Sequence, residues 1–293
     1  MKYRVRHYTE YTYDDPVSIC YNRLCLTPMS MPAHECLTSD INIVPEPNAL
    51  DFRTDFFGNQ LAFFSIHQEH KRLRINSSSI VDVQDRENMA RASSCSVLYE
   101  QVKRLEAYSP EERSEIVQYV LPSHYIPYSE VIKEFAAECF PQGTTLWKAC
   151  DALMKKIHKN IVFKPGFTTI NTPVESVIQL KKGVCQDFAH LMITCLRNMG
   201  VPARYVSGYI ETIPPPGKEK LVGADASHAW VSVCFPGVGW IEFDPTNCQL
   251  PADKHIIVAY GRDYLDVAPI KGIVFSAGKQ KLTVKVDVES MSE

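Results

Sequence analysis

Residues 181–200 read KKGVCQDFAHLMITCLRNMG, and the fold of this chain turns on how they are read. Taken as a helix over 185–199, they set Cys185, Phe188, Ala189, Met192, Cys195, Leu196 and Met199 on one side, at spacings of three and four. Gly200 suits the C-terminal cap, and Pro202 forbids continuation. Cys185 heads the stripe of a core helix. Two readings of it follow: a packed thiol like Cys195, or a nucleophile. Position argues for the second. The first turn of a helix gathers unpaired N–H groups and the positive end of the dipole, and both favour a thiolate. A nucleophile still needs a base. His190 is nearest in sequence but lies about 140° around the helix. It groups with Gln186, Thr194 and Arg197 on the polar side and is expected to be solvated. Asp187 is also rotated away and is expected to support the helix start through the dipole.

The partners must come from further along. HAWVSVCF has the alternation of a strand and begins with His228; GWIEFDPTN ends the next strand with Asp244, and PGVG turns between them. Two antiparallel strands can present His228 and Asp244 side by side, the carboxylate fixing the imidazole and the imidazole deprotonating Cys185. Each residue also has a plainer reading. His228 would be a buried histidine satisfied by backbone, and Asp244 a turn opener before Pro245. Register separates the cases. If Phe235 faces Trp240, His228 and Asp244 point to opposite faces; if Cys234 faces Trp240, they share one.

Working outward, residues 1–85 read as strands. In YRVRHYTEYTY, Tyr3, Val5, His7, Thr9, Tyr11 and Tyr13 fall on one face. Gly58-Asn59 suggests a hairpin turn, and LRINSSSIVDV continues the β pattern. Residues 86–125 read as a connector with a short helix in EERSEIVQYV. From 126 the period becomes helical, with Leu146, Ala149, Cys150, Leu153 and Ile157 on one stripe. Thr172-Pro173-Val174-Glu175 has the form of a helix start, Thr172 capping and Glu175 closing a capping box. Strands return in ARYVSGYI and in the tail, 281–288, whose sheet the pattern leaves open. The segment 211–227, rich in proline and glycine, is an irregular connector or a wall of a substrate groove.

The blocks GVCQDFAHL, RNMGVPARYVSGYI, SHAWVSV and GWIEFDPTN, in that order, resemble the transglutaminase-like superfamily, papain-like thiol enzymes with a Cys–His–Asp triad. HYTEYTYDDPV and DFFGNQLAFF resemble the β-rich N-terminal region of its bacterial members, and VAYGRDYLDVAPIKG the segment after the triad. The resemblance implies Cys185 as nucleophile, His228 as base and Asp244 as orienting carboxylate. The backbone N–H of Cys185 is a natural oxyanion donor; Gln179, six residues upstream, is a candidate side-chain donor or an exposed polar residue. Many relatives carry a tyrosine where this chain has Phe163.

Composition bounds the rest. With 45% hydrophobic and 22% charged residues, the chain is expected to be globular. A net charge of -3 gives no electrostatic argument for nucleic acid or an anionic membrane. MKYRVRHYTEY is charged throughout, unlike a signal peptide, so the expected compartment is the cytoplasm, with the ten scattered cysteines reduced. The expected architecture is α+β: an antiparallel β domain over 1–85, the connector over 86–125, and a papain-like catalytic domain over 126–293 with the Cys185 helix packed on an antiparallel sheet. The expected activity is hydrolysis of a peptide or amide by a cysteine peptidase or amidase, needing no cofactor or metal. The alternatives are a protein-glutamine transamidase, which differs only in its acceptor, and a non-catalytic binding module on the same fold. Nothing in the pattern fixes an oligomeric state.

Overall fold

Alternation builds the first third of the chain. The computed structural model describes residues 1–84, 88–212 and 227–291; most of the irregular 211–227 segment therefore lies outside the described residues. In β1 (Lys2–Val17) the residues Tyr3, Val5, His7, Thr9 and Tyr13 are buried while Arg6 is exposed, the face split that alternation predicts. β2 (Ile19–Leu24), β3 (His34–Val44), β4 (Ala49–Thr54), β5 (Gln60–Ile66) and β6 (His70–Val83) follow. β4 and β5 form the hairpin expected at Gly58-Asn59. Gly58 has φ 85°, which glycine adopts without strain, and the Asp55 carboxylate accepts from the N–H groups of Phe57 and Asn59.

The connector holds α1 (Asn88–Ser93), α2 (Tyr99–Lys103) and α3 (Pro110–Ile116). α3 is the short helix expected there, closed by a Ser109–Glu112 capping box. Next come α4 (Glu130–Ala137), α5 (Leu146–Asn160), β7 (Val162–Phe163), α6 (Val174–Leu180), β8 (Lys182–Gly183) and α7 (Cys185–Asn198). α5 buries the predicted stripe and Met154 besides. α6 starts later than the sequence suggested. Pro173 occupies the cap position, and the Thr172 hydroxyl accepts instead from Thr169 N–H (3.0 Å), inside the preceding turn.

β9 (Ala203–Ile210), β10 (Ser227–Phe235), β11 (Gly239–Phe243) and β12 (His255–Gly261) form one sheet in the order β11-β10-β9-β12. α7 packs on β9 and β10 and is flanked by α4, α5 and α6. The expectation of a polar, solvated side on α7 is corrected here. Residues 187–197 are all buried, His190 at 5% and Arg197 at 6% exposure. The polar side is covered by the connector and by the segment before α8 (Tyr264–Val267). The Arg197 guanidinium donates to the carbonyls of Leu121, Ala203 and Arg262. His190 stacks on Tyr125, and its Nε2 accepts from Tyr264 N–H (3.2 Å). Burial pushes its pKa down to about 4, so the ring packs uncharged.

The last two strands return to the beginning. β13 (Ile270–Phe275) pairs with β2, and β14 (Gln280–Met291) pairs with β1, Lys2 opposite Met291. This gives sheets β14-β1-β6-β3 and β13-β2-β5-β4. Residues of both share one apolar core, including Tyr13, Leu24, Phe64, Leu73 and Ile75. The tail strand thus belongs to the sheet that β1 starts. β12, at the edge of the third sheet, is covered by this β region. Met29 N–H donates to the Ile257 carbonyl, and Ile257 N–H donates to His34 Nε2. Asn59, fully buried, donates to the Tyr260 carbonyl and accepts from Tyr260 N–H, both at 2.8 Å. An edge strand so fastened offers no free ladder to another chain.

Candidate active site

Cys185 is the first residue of α7 and is half-buried. Its N–H therefore has no acceptor within the helix. The turn before it is built around Asp187, whose carboxylate accepts from Val184 N–H (2.7 Å) and the Thr168 hydroxyl (2.5 Å). Asp187 holds the helix start, as its position in the first turn predicted; burial pushes its pKa up against those two hydrogen bonds. Gly183 approaches so closely that a Cβ there would lie 2.7 Å from Asp187 Oδ2.

β10 and β11 pair with Cys234 opposite Trp240 and Val231 opposite Phe243. Of the two registers considered, this is the one that turns His228 and Asp244 to one face. Extending it sets Asp244 beside Trp230, diagonal to His228. His228 Nε2 lies 2.8 Å from Asp244 Oδ2. That leaves Nδ1 for the thiol: Cys185 Sγ lies 4.0 Å from the carbonyl of Ser227, the residue before His228, and is close enough to help raise the imidazole pKa. Burial pulls the imidazole pKa down, but the hydrogen bond to Asp244 and the neighbouring Asp244 and Cys185 groups outweigh it, and the net shift is upward. Asp244 is fully buried. Burial favours its neutral form, yet the donors around it hold the carboxyl well below the usual range. Oδ2 accepts from His228, from Asn247 Nδ2 (2.7 Å) and from His255 Nε2 (3.3 Å). Oδ1 accepts from the N–H groups of Thr246 (3.0 Å) and Asn247 (3.2 Å).

The ligand-type atoms of His228, Asp244 and His255 lie within 4.8 Å of one another, a spacing a metal ion could use. Five protein donors already converge on a carboxylate with about four lone-pair sites, so the cluster is built as a hydrogen-bonded carboxylate.

The structure thus brings Cys185, His228 and Asp244 together from α7, β10 and the end of β11. Gln179 sits exposed in the last turn of α6. Phe163, in β7, is 50% exposed. Sequence reasoning missed three neighbours. Asn247 stood inside the quoted GWIEFDPTN block but carried no chemistry of its own. Tyr205 is buried in β9, near enough to Cys185 that charge on the sulfur adds to burial in raising its phenol. His255 opens a strand eleven residues after Asp244, with no spacing rule to link them.

Residues 133–245 match the model of the transglutaminase-like superfamily, and residues 3–82 match that of the bacterial transglutaminase-like N-terminal region. The chain belongs to the transglutaminase-like superfamily. An uncharacterised Mycobacterium tuberculosis protein is 36% identical over 297 residues, covering 98% of this chain and 92% of the relative. A Pseudomonas aeruginosa protein named protein-glutamine gamma-glutamyltransferase is 30% identical over 134 residues, covering 45% of this chain and 20% of that protein. Among solved structures, a Cytophaga hutchinsonii protein with a provisional cysteine-protease name superposes with a TM-score of 0.77 at 20% identity, covering 100% of this chain and 91% of that one. The likeness shows that the transglutaminase-like core and its β region recur together as one fold. No helix among the described residues is long and apolar enough to cross a membrane.

Proposed function

We propose that this transglutaminase-like chain is a thiol acyl-transfer enzyme that hydrolyses peptide or amide bonds through Cys185, His228 and Asp244. The observation that carries the reading is the His228–Asp244 hydrogen bond at 2.8 Å, with the Cys185 thiol beside it at the start of α7, 4.0 Å from the carbonyl of Ser227. The raised His228 pKa favours imidazolium beside sulfur at neutral pH. The Cys185 thiolate attacks the carbonyl carbon, and the Cys185 N–H is positioned to donate to the developing oxyanion. His228 then protonates the leaving amine, and a thioester remains. His228 next takes a proton from water, whose oxygen attacks the thioester; the carbon–sulfur bond breaks, the acid leaves, and the thiolate and imidazolium are restored. Asp244 keeps the imidazole oriented throughout. Gln179 is kept only as a side-chain oxyanion candidate, and its exposure speaks against it. Ten free cysteines support work in a reducing cytoplasm.

A second reading, transamidation of a glutamine by a primary amine, is favoured by the partial match to the Pseudomonas glutamyltransferase. It shares every step to the thioester. One experiment addresses both: a peptide and amide panel, with a glutamine peptide plus a primary amine in a parallel arm, read by mass spectrometry for the chain, Cys185→Ala and His228→Ala. Free acid or ammonia release supports hydrolysis, and an amine adduct supports transamidation. Either must vanish in Cys185→Ala. A product that persists there, or a folded His228→Ala with unchanged turnover, refutes the reading.

A further inference from the structure

The thiol-enzyme reading rests on three residues, but a second histidine reaches the same carboxylate. We propose that His255 is a positioning residue for the triad, its Nε2–H holding the Asp244 carboxylate in the plane that His228 requires. The inference rests on that reading of Cys185, His228 and Asp244.

Three observations carry it. The first is how the carboxylate is held. Oδ1 is pinned by the two turn N–H groups, so the remaining freedom of Asp244 is a swing of Oδ2 about that anchor. Asn247, Oδ2's partner from the same turn, moves with the turn itself. Besides His228 itself, His255 is the donor to Oδ2 that comes from another strand, and it ties the carboxylate to the far edge of the sheet. Glu242, two residues before Asp244, is engaged by other donors, accepting from Trp230 Nε1 and the Tyr260 hydroxyl.

The second is how His255 gets there. β9 stands between β10 and β12, and its residue opposite both His228 and Ile257 is Gly208. With no side chain on Gly208, rings from the two flanking strands meet over it. His228, Trp230 and His255 pack with centroids 5.1 to 6.1 Å apart. A Cβ on Gly208 would lie 2.1 Å from the Ile256 carbonyl and 2.5 Å from Trp230. The third is rigidity. β12 is fastened along its outer edge by Met29, His34 and Asn59, so His255 is delivered from a strand that the β region holds in place. The N-terminal region thereby bears on the chemistry through β12.

The test uses the full chain and iodoacetamide as probe, following Cys185 alkylation by peptide mapping from pH 5 to 10. His228→Ala sets the rate of an unassisted thiol. His255→Phe keeps a ring but no donor; His255→Gln keeps a donor. The Phe variant is expected to lose about tenfold of the rate at pH 6, the lower end for a hydrogen bond to a charged group because 3.3 Å is long. Its upper inflection, where His228 gives up its proton, should move to lower pH. The Gln variant should stay within about threefold of wild type and keep the wild-type profile. His255→Met replaces Phe if the Phe chain does not fold. A Phe or Met variant with wild-type rate and profile would overturn the proposal, as would a Gln variant that falls as far as Phe. If wild type shows no rate advantage over His228→Ala, the thiol-enzyme reading falls and His255 with it. An advantage that the Phe variant retains removes His255 alone.

Discussion

Replacing Asp244 by Asn exchanges one oxygen for an NH2 group at a fully buried side chain. The new donor meets other donors: His228, Asn247 and His255 all point hydrogen at Oδ2. Whichever way the amide turns, at least one buried group loses its partner, at about 1–3 kcal/mol each. The larger effect is on His228. Its pKa is pushed up to about 10 against a burial that by itself lowers it. A rise of that size above 6.5 corresponds to about 5 kcal/mol favouring the imidazolium. A folded pKa above the unfolded one gives stability that is present in full below about pH 6.5 and lost as the pH climbs through 10. Asp244 shifts the opposite way, so its contribution is present above about pH 4 and lost as the pH falls below that. The variant should therefore melt lower than wild type by on the order of 10 °C between about pH 4 and pH 6.5. The gap should narrow as the pH approaches 10. With the Asp244 charge gone, Cys185 alone is left to oppose burial at His228, and the upper inflection of Cys185 alkylation should move to lower pH. Turnover should fall by about two to four powers of ten. Differential scanning fluorimetry across pH, beside the alkylation profile, measures both. An Asn variant with the wild-type alkaline inflection, or a melting gap that widens toward pH 10, refutes the coupling.

Three further outcomes follow. Brief alkylation at pH 6 should mark Cys185 ahead of Cys25 and Cys234, whose thiols burial pushes up to about 12, and of the fully buried Cys150 and Cys195, which burial also raises; even labelling in peptide maps would return Cys185 to the packed thiols. Gly208→Ala should destabilise by at least about 2 kcal/mol, because the clash is with a carbonyl that cannot rotate away; a denaturant midpoint equal to wild type would contradict it. Asn59→Ala removes two buried hydrogen bonds to Tyr260 and should cost about 2–4 kcal/mol, read as a lower urea midpoint with unchanged slope.

What the sequence made legible is what depends on local period. β1 shows its buried face in alternation, α5 shows its stripe, and the fixed count between His228 and Asp244 reduced their geometry to one choice of register. What it hid is what depends on distant partners. Arg197 and His190 sit on the polar side of α7, and a helix pattern assigns polar residues to water. Here carbonyls from 121, 203 and 262 take the place of water. Thr172 is a good cap by type, but a turn with Thr169 competes for its hydroxyl. Asn59 looks like half of a hairpin turn, and nothing local says that its amide also docks on β12. The last strand carries a clear β pattern, yet an edge hydrogen-bonding ladder has no sequence code for its partner.

The pairing of β14 with β1 also sets an order of events on the ribosome. β1 is synthesised well before its partner β14, which follows roughly 15 to 60 s later at 5–20 residues per second. β6 can cover one side of β1 early; the other side stays open meanwhile. Val286 and Val288 must then complete a core that Tyr3 and Val5 have begun. The strands bearing His228 and His255 emerge before that closure. The sheet bearing His228 and His255 can thus be assembled while the sheet of β1 still lacks β14, and a nascent chain stalled before 280 would expose a bare β1 edge to its neighbours.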